Sequence, residues 1–327
     1  MQFGPDLPVK LYTVSMKSPE TQQQRMVRLI DRLAPDQGLT KTVLDGVKLS
    51  RANHSYRKAP VLYEPCIVFI AQGRKRGFLG DDVFVYDEQH YLVLSVPLPF
   101  ESETEATPEH PLLGISMRLD LALAAELVLA LDQAGATSVA EPRGIFSTPI
   151  DAALGDAVLR LLQALDSPLD AAILGPSIQR EICYRVLIGE QGGSIRAALL
   201  NQQHFGKVAK ALRRIHADFR SGLDVETLAR EANMSVAAFH AHFKSVTATS
   251  PIQYLKATRL HKARLLMLQD SHSAASASAA VGYESASQFS REFKRVFGRT
   301  PLEEVSYVRH QSLALPVDGA SRYVTSA

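Results

Sequence analysis

The stretch LAREANMSVAAFHAHFKSVTATSPIQYLKATRLHKARLLML, residues 228–268, decides the fold, because its pattern returns in SAAVGYESASQFSREFKRVFGRTP, residues 278–301. Ala229/Ala279, Ser235/Ser285, Phe239/Phe289, Phe243-Lys244/Phe293-Lys294, Val246/Val296, Pro251/Pro301 and Arg259/Arg309 all recur at an offset of 50, which implies no insertion between copies. A period of this size marks a repeated supersecondary unit, and two copies point to a tandem pair of small helical modules. Each copy predicts helix, tight turn, helix. Asp224 caps a helix carrying Val225, Leu228 and Ala229, and Asn233-Met234 makes the turn. Ser235 then caps a second helix with Val236, Phe239 and Phe243 on one face. In the second copy Ala275 to Val281 is the short helix and Gly282 the turn. Ser285 caps a helix with Phe289, Phe293 and Val296 inward. Small pairs, Leu228-Ala229 and Ala279-Ala280, suit the close crossing of a helix-turn-helix.

Both copies continue with a further start signal. Ser250-Pro251-Ile252-Gln253 and Thr300-Pro301-Leu302-Glu303 place a hydroxyl at the N-cap, proline at N1 and Gln or Glu at N3, the pattern of a capping box. The helix from Pro251 to about Leu268 is expected to join the modules rigidly, with Leu255, Leu260, Leu266 and Met267 inward.

A second helix lying in a major groove reads bases with its outward residues. In the second copy these are Ser287, Gln288 and Arg291, with Lys294 and Arg295 nearer phosphate. Arg291 pairs with guanine and Gln288 with adenine; alternatively Gln288, at N3, completes a box with Ser285. The first copy offers Ala237, Ala238, His240 and Ala241, whose small side chains reach only a thymine methyl, so the second module is expected to specify sequence more sharply. Lys244, Lys294, Arg295, Arg299, Ser235 and Ser285 are the expected phosphate contacts. The four phenylalanines are expected in the core. Charge agrees: residues 201–311 carry 16 Lys+Arg against 9 Asp+Glu, whereas residues 1–200 carry 19 against 24. A basic end on a mildly acidic partner fits nucleic-acid binding.

These two runs resemble the DNA-binding domain of AraC/XylS-family regulators, with GYESASQFSREFKRVFGRTP carrying most of the likeness. The run VLYEPCIVFIAQGRKRGFLGDDVFVYDEQHYLVLSVPLPF, residues 61–100, is similar to the N-terminal domain of one branch of that family. The resemblance implies a bacterial, sequence-specific regulator, usually an activator, that works with RNA polymerase and forms a homodimer. Its two helix-turn-helices would occupy adjacent major grooves of promoter DNA. Many relatives have Arg where this chain has Ala241.

Upstream the pattern turns to strands: Cys66–Ile70, a basic turn Gly73 to Gly77, Val83–Tyr86, Tyr91–Val96 closed by Pro97 and Pro99, and Leu112–Arg118. Leu121–Leu131, Asp151–Leu165 and Pro176–Gly189 have helical apolar spacing. The expected fold class is α+β: a cupin-like β-barrel with a helical dimerisation segment, then an all-α domain with two helix-turn-helices. The expected divisions are an N-terminal extension (1–38), a sensor and dimerisation domain (39–190), a linker (191–202), the DNA-binding domain (203–311) and a tail (312–327).

Catalysis is not expected. His54, His90 and His110 are isolated, and His240 and His242 lie two apart on a helix, pointing to different faces. No cofactor and no metal are therefore implied, and Gly73–Gly77 lacks phosphate-loop spacing. That basic run has two readings, an anion site or a solvated turn. Tyr63, Phe69 and Tyr86 either line an effector pocket or form core, and the strands do not say which face points in. Two cysteines, Cys66 and Cys183, in apolar surroundings suit buried thiols in a reducing compartment. With no leader-like N-terminus and no spanning stretch, a cytoplasmic, nucleoid-associated protein without membrane contact is expected.

Overall fold

The computed structural model describes residues 20–135, 142–199 and 204–313. Most of the expected tail, the first half of the expected N-terminal extension and the last three residues of the expected linker lie outside them. The chain opens with α1 (Gln22–Leu33), which the sequence reading missed although Thr21 and Gln24 form a complete capping box. Nine strands follow: β1 (Gly38–Lys41), β2 (Val47–Ala52), β3 (Tyr56–Tyr63), β4 (Cys66–Gln72), β5 (Arg74–Leu79), β6 (Asp82–Tyr86), β7 (His90–Leu94), β8 (Leu98–Glu105) and β9 (Leu112–Arg118). After α2 (Leu121–Gln133), β10 (Ile145–Pro149) completes two antiparallel sheets. One runs β1-β2-β9-β4-β7-β10 and the other β3-β8-β5-β6.

The six-stranded sheet is buried on both faces, which explains the unbroken apolar run Cys66–Ala71. Cys66, Val68 and Ile70 face the interior between the sheets, with Tyr63, Tyr86 and Phe100. Ile67 and Phe69 face the opposite way, onto a helical layer of α1, α3 (Ala152–Leu165) and α4 (Pro168–Ile188). Tyr63 and Tyr86 are therefore interior core, while Phe69 stacks on Tyr91 on the outer face.

Three local expectations are corrected. The basic run is not a turn but strand β5, because Arg76 pairs with Glu103 and Glu105 across the sheet and Lys75 donates to Tyr63. Helix α4 starts at Pro168, capped by Ser167, and carries Pro176 within it. Pro99 lies inside a strand, β8. The sequence pattern alone places a boundary at each proline; burial of the flanking residues outweighs the lost N–H.

Beyond α5 (Gly192–Leu199), which occupies part of the expected linker, the chain is helical: α6 (His204–Ala217), α7 (Val225–Glu231), α8 (Val236–Thr247), α9 (Pro251–Gln269), α10 (Ala274–Ala280), α11 (Ala286–Phe297) and α12 (Pro301–Leu313). The recognition helices α8 and α11 keep the offset of 50, but the first helices α7 and α10, with their caps Asp224 and Ser273, are offset by 49. The second turn is thus one residue longer, and an insertion-free repeat is corrected. The left-handed residue is Asn233 in one turn and Gly282 in the other. A side chain at Gly282 would meet the Arg220 carbonyl oxygen at 2.6 Å, so glycine is required there by approach as well as by φ. The slip also moves the buried small pair of α10 to Ala277-Ser278, leaving Ala279 exposed.

The first module shares its core with the barrel interior: Phe239, Phe243 and Tyr254 belong to one apolar cluster with Leu94, Leu98 and Ile145. The second has its own, built on Phe289, Phe293, Phe297, Leu260 and Met267. Within α9, His261 is buried edge-on against Phe297, and burial followed by the nearby Arg264 pushes its pKa down to about 3. Its folded pKa lies below the ordinary value near 6.5, so its contribution is complete above that pH and is lost as pH falls toward 3. Wild type is expected to lose about 2 kcal/mol more than His261→Leu between pH 7 and pH 5. Urea unfolding at several pH values measures this, and parallel curves for the two proteins would refute it.

Candidate nucleic-acid interface

Each recognition helix begins with a serine whose side chain is already in use. Ser235 Oγ accepts from Ala238 N at 3.3 Å and Ser285 Oγ from Gln288 N at 3.3 Å. The caps fix where each helix starts and aim its N-terminal turn outward. On the inward side Phe239, Phe243, Phe289 and Phe293 are fully buried. Their spacing forces the remaining residues onto one exposed stripe, as the 3.6-residue period demands.

On α11 that stripe is Ser287, Gln288, Arg291, Lys294 and Arg295, all exposed. Among the described residues Arg291, Lys294 and Arg295 form no ion pair, so their charges face solvent. Gln288 does not turn back to Ser285: its Nε2 donates to Glu292 Oε1 at 3.2 Å. Glu292 also takes Lys256 Nζ and Tyr283 Oη, each at 2.7 Å. Burial raises the pKa of that carboxyl, but these donors together hold it below the ordinary range. It stays ionised and orients Gln288, a positioning role that sequence did not suggest.

On α8 the exposed residues are Val236, Ala237, His240, Ala241, Lys244 and Ser245, with Ala238 half-buried; Val236, expected inward, instead faces out at the first turn. His242 points away from them and stacks on His204 of α6 with ring centroids 3.9 Å apart. The contrast between the modules follows: α11 offers long donors and α8 mainly short apolar surface. Arg299 differs from the other expected phosphate contacts. Its guanidinium lies 3.6 Å over the Tyr307 ring and 3.4 Å from Glu304, folded back onto α12.

Behind the interface α9 ties the parts together. Arg264 pairs with Glu304 in a buried bridge, and its guanidinium lies over Phe297. Arg259 Nε and Nη2 donate to the Phe219 and Ser221 carbonyls at 2.7 and 2.8 Å. Toward the barrel, Tyr254 Oη donates to Pro97 O at 2.7 Å and meets His216 Nε2 at 2.8 Å. Residues as scattered in sequence as Glu64, Pro97, His216 and Tyr254 carried no motif, and only the fold brings them together. Of the isolated histidines, His90 pairs with Asp87 at 3.1 Å. Among the described residues no group of three or more His, Cys, Asp or Glu side chains is placed to hold a metal. Burial raises the pKa of both thiols, Cys66 and Cys183, to about 12.

A two-sheet barrel backed by helices and fused to paired helix-turn-helices defines a two-part architecture. Comparison with known proteins agrees: the profile described as "AraC-type transcriptional regulator N-terminus" matches residues 43–194, and "Helix-turn-helix domain" matches residues 228–305. The chain belongs to the AraC family of transcriptional regulators. It is 29% identical over 152 residues to the HTH-type transcriptional regulator ArgR of Pseudomonas aeruginosa, covering 46% of each chain. It is 38% identical over 85 residues to the RCS-specific HTH-type transcriptional activator RclR of Escherichia coli, covering 26% of this chain and 30% of that one. The chain thus spans less than half the length of these curated relatives. A variant of apo ToxT from Vibrio cholerae shares the fold, with a TM-score of 0.51 at 10% identity over 81% of this chain and 99% of that one.

Replacing Arg291 by Ala is expected to cost about 1–3 kcal/mol of DNA binding and to relax preference at one base pair. Lys294→Ala is expected to weaken binding to every sequence and reduce the salt slope by about one. Salt titrations against matched and mismatched duplexes check both. Uniform loss for the first variant, or an unchanged slope for the second, would refute the assignment.

Proposed function

We propose that the protein recognises promoter DNA by sequence and regulates transcription, as an activator, with its output controlled through the N-terminal domain. The observation that carries this reading is the pair of capped helices α8 and α11, each with an exposed polar or small-residue stripe, joined through one helix. Two recognition helices on such a joint suit adjacent major grooves, about 34 Å apart along one face of the duplex. In this reading α11 supplies most of the sequence discrimination, through Arg291 and the oriented Gln288, together with Ser287. Ala237, Ala238 and His240 add weaker contacts. Lys244, Lys294, Arg295 and the two serine caps face phosphate, and Arg299 reaches it by leaving Tyr307. RclR, named an activator, supports the sign of the effect. RNA polymerase is the partner such a role requires. A cytoplasmic, nucleoid-associated location belongs to the same reading, and no helix among the described residues is long and apolar enough to cross a membrane.

Self-association belongs to the proposal too. On α4 Leu169, Ile173, Tyr184 and Ile188 are exposed, at 71%, 68%, 39% and 51%, and Leu129 of the neighbouring α2 is exposed at 63%. An exposed apolar helical face of this kind fits a second copy of the chain.

Selection from random duplex DNA with the purified full-length protein tests the whole proposal. Two short conserved blocks about one helical turn apart are expected, the one read by α11 being the stronger. A homodimer doubles that pattern, and Leu169→Asp with Ile173→Asp is expected to return it to a single pair of blocks. No enrichment in the full chain or in residues 201–327 would overturn sequence-specific recognition.

A further inference from the structure

The carboxylate of Glu292 draws its partners from three places in the fold. Lys256 Nζ, on α9, and Gln288 Nε2, one turn earlier on α11, lie 2.7 and 3.2 Å from Oε1. Tyr283 Oη, in the turn before α11, lies 2.7 Å from Oε2, and its ring is set edge-on to the buried Phe289 at 5.4 Å. The Glu292 side chain is 13% exposed, so water competes little for it. An ionised carboxylate only accepts hydrogen bonds. The end of Gln288 that meets it is therefore the amide nitrogen, because a flipped amide would set two oxygens against each other.

What the amide has left decides what it can read. One N–H is committed to Glu292, and the second N–H and the oxygen Oε1 remain on an exposed side chain. Adenine shows the major groove one acceptor, N7, and one donor, the N6 amino group, so it engages both. Guanine shows two acceptors, N7 and O6, and would need both N–H groups. Cytosine and thymine each offer one partner. A clamped Gln288 thus makes two bonds to adenine and one to any other base.

The scaffold does not require this clamp. At the offset of 50 the first module has Ala238 for Gln288 and His242 for Glu292, and its turn, Asn233-Met234, has no aromatic residue. That module forms its helices on an equivalent pair of buried phenylalanines without the clamp, and His242 turns to His204 instead.

We propose that Glu292, held by Lys256 and Tyr283, is a positioning residue that restricts Gln288 to adenine by withholding one of its amide protons from guanine. The inference rests on the reading of Gln288 as a base contact of α11. Because Lys256 belongs to α9, base choice on α11 is set partly from the helix that joins the modules.

Selection from random duplexes with the full-length protein tests the clamp, using wild type, Gln288→Ala, Glu292→Gln and Tyr283→Phe. Gln288→Ala is expected to flatten one position of the α11 block that wild type fills with adenine. At that position the ratio of adenine to guanine is expected to fall about five-fold or more in Glu292→Gln, with the position read by Arg291 unchanged. Tyr283→Phe keeps its ring on Phe289 and is expected to move the ratio the same way by a smaller factor. In the Gln288→Ala background Glu292→Gln is expected to change nothing further, measured as Kd for duplexes differing at that base pair alone. An unchanged ratio in Glu292→Gln, equal loss at every position, or the same shift without Gln288 would overturn the clamp while Gln288 stands as a base contact. If Gln288→Ala flattens no position, Gln288 reads no base, and the clamp falls together with that reading.

Discussion

The structure depends on one helix that has almost no solvent side. From Tyr254 to Leu268 no residue of α9 is exposed, because the helix packs on the first module, the second module and the barrel at once. That arrangement demands polar groups which pair inward. Lys256 goes to Glu292, Lys262 approaches Glu64, Arg264 pairs with Glu304, and Arg259 takes two backbone carbonyls. Buried pairs of this kind are costly to break from one side, so they fix orientation more than they add net stability. The relative placement of the two recognition helices is set by side chains at the centre of a single rigid element.

The same helix makes the barrel part of the DNA-binding apparatus. Tyr254 lies fully buried and belongs to the core of the first module, yet its hydroxyl is satisfied by a carbonyl of the barrel. A buried hydroxyl that loses its partner costs about 1–3 kcal/mol, so separating the halves carries a definite local penalty. The first module, sharing its apolar cluster with the barrel, is tied to it. The second, with an independent cluster, is connected mainly through α9 and a contact of α11 with β3. A displacement of the barrel would therefore reach the two modules unequally.

The modules were legible in sequence because their signals are local. A serine cap and two phenylalanines four apart specify each recognition helix within a dozen residues, a hydroxyl followed by proline marks the start of the next helix, and the structure has all of them. The stripe on α11 followed from the same spacing. What escaped was set by tertiary contact. Whether Cys66 or Phe69 faced the barrel interior could not be decided while both faces of the strand were buried. Helix α4 ran through a proline because Ala171, Gly175 and Ile178 pack on both sides of it. Arg76 turned a suspected loop into a strand through partners almost thirty residues away. Glu64 and His216 gave no signal at all, since nothing about each in its own segment predicts the neighbour that gives it meaning. Gln288 had two local readings, and the structure speaks to one of them: its side chain goes to Glu292 and not back to the Ser285 cap.

The extra residue in the turn before α11 bears on how these modules can be recombined. Because α8 and α11 stay in step while α7 and α10 do not, the two copies are interchangeable only from the serine cap onward. A chimaera spliced at Ser235 and Ser285 would transplant a reading head and keep each scaffold intact. One spliced at the preceding helices would carry the wrong turn with it, and would place a side chain where Gly282 passes the Arg220 carbonyl. The scaffold and the reading surface are separable parts, and the seam between them is one residue wide.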